Sequence, residues 1–129
     1  MSESYLEHVN ITVNNPQETA DLYCQLFGWE IRWQGGAIHD GISIHVGGKD
    51  SYVAVYSKGD TTPAPDSYSH VGGMNHIAVV VDELDAVEAR VKAAGFTPRS
   101  HADYEPGRRF YFDDGDAVEV EVVSYPTEP

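Results

Sequence analysis

The segment YLEHVNITV, residues 5–13, decides the fold, because a second segment of the same kind, MNHIAVVV, follows at residues 74–81. Each segment is typical of a β-strand, and each carries one histidine before a largely apolar run. His8 and His76 lie 68 positions apart (76 − 8). A strand repeated at this distance predicts that the surrounding structural module is repeated as well.

A helix pattern follows each of the two strands. In the first copy, Asn15 is a candidate N-cap, Pro16 suits the first helical position, and Gly28 suits the end of the helix. In the second copy, Asp82 is the candidate N-cap and Gly95 the terminator. The two glycines lie 67 positions apart (95 − 28), so the helices keep the spacing of the strands.

Three further strand-like segments follow each helix: 30–34, 42–46 and 51–57 in the first copy, and 97–100, 109–113 and 117–124 in the second. Residues 58–73 are rich in proline and glycine, which is typical of a linker. We therefore expect one α+β domain over residues 1–129, with βαβββ modules at 5–57 and 74–125. Its mixed sheet is expected to curl around a cleft.

Composition excludes several classes of protein. The formal net charge of −13 argues against nucleic acid as a partner, because phosphate binding needs clustered basic residues. No apolar stretch approaches the ~20 residues that span a membrane. The start of the chain lacks a signal-peptide pattern, and the single cysteine, Cys24, cannot form an internal disulfide. We therefore expect a cytoplasmic protein without a membrane partner.

Side chains alternate across a strand, which separates a helix-packing face from a polar face. Val9, Ile11 and Val13 are expected to pack on a helix, so that His8 and Asn10 point to the opposite side. The same reasoning in every strand predicts a polar and aromatic face suited to a ligand. Its members are His8, Asn10, Tyr52, Tyr56, His76, Glu119 and Glu121. The repeat spacing of 67 makes Ala54 the counterpart of Glu121 (121 − 67).

Four stretches resemble the vicinal oxygen chelate superfamily, which includes glyoxalase I, extradiol dioxygenases, fosfomycin-resistance enzymes and bleomycin-resistance proteins. They are LEHVNITV (6–13), LYCQLFGWEI (22–31), NHIAVVVDELDAVEARVKAAGF (75–96) and RRFYFDDGDAVEVEVVSY (108–125). The family's aromatic-x-Asp-Pro-Asp-Gly turn is only partly matched by FDDGDA at 112–117. The resemblance is specific for the fold and weak for the reaction.

The resemblance implies a metal site and a homodimer. Carried over by position, the ligands of one divalent ion (Fe, Mn, Zn, Ni or Co) would be His8, His76 and Glu121, and an alternative register makes Glu119 the carboxylate ligand. Ala54 occupies the fourth ligand position and cannot bind a metal. Glyoxalase I-like members carry a glutamate there, so the alanine argues against that ordinary isomerase.

Two functions remain open. The first is a metal-dependent enzyme acting on a small substrate with vicinal oxygens, as a lyase, isomerase, transferase or dioxygenase. The second is a metal-free binding protein of the bleomycin-resistance type. Asn10, Tyr52 and Tyr56 are candidate substrate contacts, and Glu119 is either a general base or a salt-bridged residue. Residues without a repeat partner, and the one adjacent basic pair, are interpreted as loop, surface or strand-flanking positions: His39, His45, His70, His101, Arg108 and Arg109.

Overall fold

The computed structural model describes residues 2–104 and 107–126. The chain divides into two compact units, Met1–Thr62 and Pro63–Pro129, and the boundary lies within the linker predicted at 58–73. Each unit contains one α-helix and one four-stranded mixed sheet. The predicted α+β class with two βαβββ modules is therefore confirmed.

The first unit consists of β1 (His8–Thr12), α1 (Pro16–Phe27), β2 (Glu30–Ala37), β3 (Gly41–Gly47) and β4 (Tyr52–Ser57). The strand order is β1-β4-β3-β2. β1 and β4 are parallel, and the other neighbours are antiparallel. A short 3₁₀ turn, Ile38–Asp40, joins β2 to β3.

The second unit repeats this topology with β5 (Ile77–Val80), α2 (Leu84–Ala93), β6 (Arg99–Tyr104), β7 (Gly107–Asp113) and β8 (Glu119–Ser124). The strand order is β5-β8-β7-β6, with β5 and β8 parallel. A 3₁₀ turn, Ser67–Ser69, precedes β5.

The register of the paired strands shows which single residues of the two units occupy equivalent positions. Asn10 pairs with Ala54 in the first unit, and Ala78 pairs with Glu121 in the second. The spacing is 68 in the first strand of each unit (78 − 10) and 67 in the last (121 − 54). Ala54 is therefore the positional counterpart of Glu121, as the sequence predicts.

The helix ends follow the sequence pattern with one exception. The side chain of Asn15 accepts a hydrogen bond from the backbone N–H of Glu18 at 3.1 Å, and Gly28 ends α1 at a φ of 68°. Gly95, at a φ of 95°, follows the end of α2. The prediction that Asp82 caps α2 is wrong. The helix begins at Leu84 with Glu83 at the N-cap position, so Asp82 lies one residue too early to cap it.

Each helix covers one face of its own sheet. The buried residues of α1 are Thr19, Ala20, Tyr23 and Leu26, and those of α2 are Leu84, Val87 and Val91. Alternate strand residues are buried on the face of the sheet that the helix covers. They include Ile44, Val46, Val53 and Val55 in the first unit, and Phe110, Phe112, Val120 and Val122 in the second. The opposite face of each sheet is left for other contacts. No helix among the described residues is long and apolar enough to cross a bilayer.

The left-handed conformation of Gly28 gives a test of helix termination. Gly28→Ala is expected to lower the free energy of unfolding by about 1–2 kcal/mol, because a side chain is strained at a positive φ. Gly48→Ala is the control, since an added Cβ there meets open space and Gly48 has no positive φ. Urea denaturation measures both variants. Equal midpoints for the two would contradict the assigned role of Gly28.

Candidate functional site

In the second unit, His76 and Glu121 lie side by side. His76 immediately precedes β5, and its Nε2 is 3.1 Å from Oε1 of Glu121 on the neighbouring strand β8. Glu121 is buried, with 7% of its surface exposed. The structure thus brings together two of the three residues predicted to bind a metal.

Two residues of β7 complete the surroundings of Glu121. Arg109 Nη1 donates a hydrogen bond to Oε2 of Glu121 at 3.0 Å, and the hydroxyl of Tyr111 donates to Oε1 at 2.9 Å. The buried carboxylate is therefore both charge-paired and hydrogen-bonded, as a buried charge requires. Arg109 lies within β7, as the strand-like segment 109–113 predicts, and therefore does not merely flank the strand. The alternation of β7 is the signal that would have placed Arg109 and Tyr111 on the face of Glu121.

Glu119 lies at the other nitrogen of the same imidazole. Its Oε2 is 3.5 Å from Nδ1 of His76 and accepts a 2.5 Å hydrogen bond from the hydroxyl of Tyr68. Its Oε1 accepts a 2.9 Å hydrogen bond from Arg99, which also binds Asp113 at 2.8 Å.

These contacts favour one of the two interpretations of Glu119. Partial burial raises the pKa of the carboxyl, but the hydrogen bonds from Tyr68 and Arg99 and the charge of Arg99 outweigh it, so that the pKa is lowered. A carboxylate with a lowered pKa accepts a proton poorly near neutral pH. The salt-bridged interpretation of Glu119 is therefore favoured over the general-base interpretation.

Nε2 of His76 and Oε1 of Glu121 lie at a separation that suits two ligands of one metal ion. Nitrogen and oxygen ligands at about 2.1 Å from one divalent ion lie about 3.0–3.4 Å apart, and the His76–Glu121 separation of 3.1 Å falls in this range. Among residues 2–104 and 107–126, no group of three or more His, Cys, Asp or Glu side chains is assembled to hold a metal. His8 lies in the first unit, and its participation stays a prediction.

In the first unit, the corresponding face is aromatic. Tyr52 stacks on His8 with ring centroids 4.7 Å apart and on His45 at 4.5 Å. His45 in turn contacts Trp33 at 4.9 Å. Strand register explains the cluster, because β1 pairs His8 with Tyr52 and β2 pairs Trp33 with His45. We call these four residues (His8, Trp33, His45 and Tyr52) the aromatic face.

A glutamate orients the histidine of this face. Nδ1 of His8 is 2.9 Å from Oε1 of Glu7, and the hydroxyl of Tyr52 donates to the same oxygen at 3.4 Å. The hydrogen bond from His8 lowers the pKa of Glu7, whereas burial, together with the charge of Glu7, raises the pKa of Tyr52. The contact at Nδ1 leaves Nε2 of His8 as the nitrogen for another partner.

The interpretation of His45 as a loop or surface residue is wrong. The residue is neither in a loop nor fully exposed: it is half-buried within β3, stacked on Tyr52. Burial, followed by electrostatic interaction with His8 and Arg32, lowers the pKa of His45. Its positional counterpart in the second unit is Tyr111, since His45 pairs with Ala54 and Tyr111 with Glu121. Comparison of the third strands would have revealed this position.

The remaining predicted contacts lie on the same face with different environments. Asn10 is exposed and stands beside the buried Ala54. Tyr56 is half-buried, and its hydroxyl donates to the carbonyl of Ile38 at 2.7 Å. Its ring occupies the space that a Cβ on Gly41 would need. The remaining histidines are exposed, as predicted: His39, His70 and His101.

A model of the Glyoxalase/Bleomycin resistance protein/Dioxygenase superfamily matches residues 5–122. No curated protein matches the chain. Among solved structures, a glyoxylase/bleomycin resistance protein/dioxygenase domain from Frankia sp. EAN1pec is 20% identical with a TM-score of 0.83, covering 99% of this chain and 96% of that chain. These solved structures establish similarity of fold.

The fosfomycin resistance protein FosX is similar as well. FosX from Listeria monocytogenes is 20% identical with a TM-score of 0.75, covering 97% of this chain and 96% of that chain. A structure of the same protein complexed with Mn(II) and sulfate is 19% identical with a TM-score of 0.73, covering 97% and 95% of the two chains.

The ion pair of Arg109 gives a test of the second unit. Arg109→Met is expected to destabilise the fold by about 3 kcal/mol, because it leaves Glu121 buried without its cation. Arg108→Met is the matched control. The Asp85 partner of Arg108 is mostly exposed, so the loss there is expected to be below about 0.5 kcal/mol. Urea unfolding measures both variants. A loss no larger for Arg109→Met than for Arg108→Met would show that the pair contributes nothing specific.

Proposed function

We propose that this chain, which belongs to the glyoxalase/bleomycin resistance protein/dioxygenase superfamily, is a divalent-metal-dependent enzyme acting on a small substrate with two neighbouring oxygens. One observation carries the proposal. A buried carboxylate, Glu121, lies 3.1 Å from the repeated histidine His76, which suits two ligands of one ion. The Mn(II) complex of FosX supports it, because a protein of similar fold holds such an ion.

In this proposal His8, His76 and Glu121 hold one ion of Fe, Mn, Zn, Ni or Co. Two imidazoles and one carboxylate suit these metals and leave coordination positions for a substrate. When bound, the ion would act as a Lewis acid that stabilises negative charge developing on the substrate oxygens.

The other residues of the second unit orient these ligands. Arg109 and Tyr111 each bind one oxygen of Glu121, which restricts rotation of the carboxylate. Glu119 faces Nδ1 of His76 and is itself held by Tyr68 and Arg99. Such outer contacts orient a ligand toward an ion and tune its basicity. Glu119 is accordingly proposed as a positioning residue and not as the base.

Ala54 reduces the number of reactions that can be proposed for this chain. It stands where the second unit has Glu121, and an alanine supplies neither a ligand nor a base. We therefore propose a lyase, a transferase, a ring-cleaving dioxygenase or an isomerase other than ordinary glyoxalase I. The protein is proposed to act in the cytoplasm as a homodimer, without nucleic acid or membrane partners.

A metal-free binding protein of the bleomycin-resistance type is the second candidate function. The observation that favours it is the Arg109–Glu121 pair at 3.0 Å, which neutralises the buried carboxylate without an ion. The aromatic face also suits an organic ligand. Metal analysis separates the two functions.

Metal retention tests the enzyme proposal. Protein purified without an affinity tag is reconstituted in turn with Fe, Mn, Zn, Ni and Co, desalted, and analysed by mass spectrometry for metal per chain. We expect about one ion per chain for at least one metal, and less than about 0.1 for His8→Ala and His76→Ala, since three ligands retain an ion that two do not.

His101→Ala serves as the control, because His101 is an exposed histidine bound to Glu88; it is expected to retain metal like the parent chain. Circular dichroism verifies that the variants fold. Less than about 0.1 ion per chain in the parent protein with all five metals would exclude the metalloenzyme and leave the binding protein.

A further inference from the structure

We infer that the first unit binds the body of the ligand, and that this ligand is an aromatic acid: a flat unsaturated ring carrying a carboxylate or another anionic group. Its ring would lie on Trp33 and its anionic group would meet Arg32. The inference rests on the proposed function for the reacting end of the molecule, and it adds the chemical class of the remainder.

The position of Trp33 is the first supporting observation. Its indole covers the backbone of Gly35, where an added Cβ would come within 2.8 Å of Cζ2 and 3.0 Å of Cη2. The absence of a side chain at Gly35 thus allows the ring to lie along the strand. The tryptophan remains 49% exposed while one side contacts His45. A broad aromatic surface is therefore open beside the stacked rings, and aromatic pairing in offset or tilted geometry attracts a second ring.

The position of Arg32 is the second and independent observation. Ile31 pairs with Val46 and Trp33 pairs with His45, so Arg32 is an extra residue that forms a bulge in β2. A bulge redirects a side chain that regular alternation would send to the other face. The guanidinium of Arg32 consequently lies over the ring of Tyr52, with Cζ 4.8 Å from the centroid.

The positive charge of Arg32 favours an anionic group as its ligand. Arg99, Arg108 and Arg109 each pair with a carboxylate. Within the described part of the chain, Arg32 forms no ion pair and is exposed. In a protein with a net charge of −13, an anionic ligand needs a local cation of this kind. A guanidinium presents a planar fork of N–H groups that matches the two oxygens of a carboxylate.

The arrangement connects this subsite to the proposed reacting end. The rings contact one another in sequence, from Trp33 to His45, to Tyr52 and to His8. His8 is the proposed metal ligand of the first unit. A ring on Trp33 and an anion at Arg32 would therefore place the rest of the ligand along the face that leads to His8. Glu7, which binds His8, is the acidic group that would oppose an anion here.

The test uses metal-free protein, so that it does not depend on the metal. In a Trp29→Phe background, Trp33 is the one remaining tryptophan, and its indole N–H gives a single signal in a ¹H–¹⁵N spectrum. The probes are 3,4-dihydroxybenzoate and 2-naphthoate, with catechol as the ring without an acid and cyclohexanecarboxylate as the acid without a ring. We expect saturable shifts with both aromatic acids, and binding at least about tenfold weaker for the two partial probes.

Matched variants identify the two contacts. Arg32→Gln is expected to weaken 3,4-dihydroxybenzoate about tenfold and leave catechol unchanged, whereas Lys49→Gln, which removes an exposed charge elsewhere in the unit, alters neither. Gly35→Ala displaces the indole and weakens both aromatic acids. Gly36→Ala, with open space around its added Cβ, does not. Glu7→Gln is expected to strengthen the binding of the aromatic acids.

Two results would overturn the inference. One is the absence of a saturable Trp33 shift with either aromatic acid, and the other is a loss in Arg32→Gln no greater than in Lys49→Gln. His76→Ala is expected to bind the aromatic acids as the parent chain does. Probe binding without metal retention therefore refutes the metalloenzyme and supports the subsite, while metal retention without probe binding does the opposite.

Discussion

The structure depends on one constraint: each four-stranded sheet has two faces, and its single helix covers only one of them. Side chains alternate across a strand, and in β3, β4, β7 and β8 one half of the side chains builds the core with α1 or α2. The other half must serve another purpose. Val53, Val55, Val120 and Val122 lie on the first half, and Tyr52, Glu119 and Glu121 lie on the second. Within these strands, the residues of the core and the residues proposed for the site therefore alternate.

The face that the helix does not cover carries different side chains in the two units. Equivalent positions hold Tyr52 and Ala54 in the first unit and Glu119 and Glu121 in the second. The first face is a set of contacting rings, and the second is a network of ion pairs around His76. The duplicated backbone provides equivalent positions in the two units. Different side chains at those positions make the face aromatic in the first unit and charged in the second.

The charged network in the second unit has an energetic reason. A carboxylate as buried as Glu121 costs several kcal/mol unless its oxygens are paired, and Arg109, Tyr111 and His76 share that role. Pairing of this kind also holds the carboxylate in one orientation. A fixed carboxylate of this kind is what the proposed metal ligand requires.

Much of the fold and part of the site could be predicted from the sequence. Three patterns carried these predictions: the repeat of His8 at His76, the glycines that end the helices, and the alternation in the last strands. Each pattern can be read directly from the sequence, because it depends on the spacing of residues along the chain. They predicted eight strands, two helices and the shared face of His76 and Glu121, which the structure confirms.

Other features depended on contacts between strands that are distant in the chain. Which residue faces His8 follows from the register of β3 and β4, so the position of His45 in the aromatic face was not visible in its own segment. The side of the sheet reached by Arg32 depends on a bulge in β2, and a bulge is a property of two strands and not of one. The sequence by itself determined the duplicated modules and their polar faces, because these follow from periodicity. Only the tertiary structure decided which side chains meet on those faces, because pairing across strands sets the distances on which ion pairs and ring contacts depend.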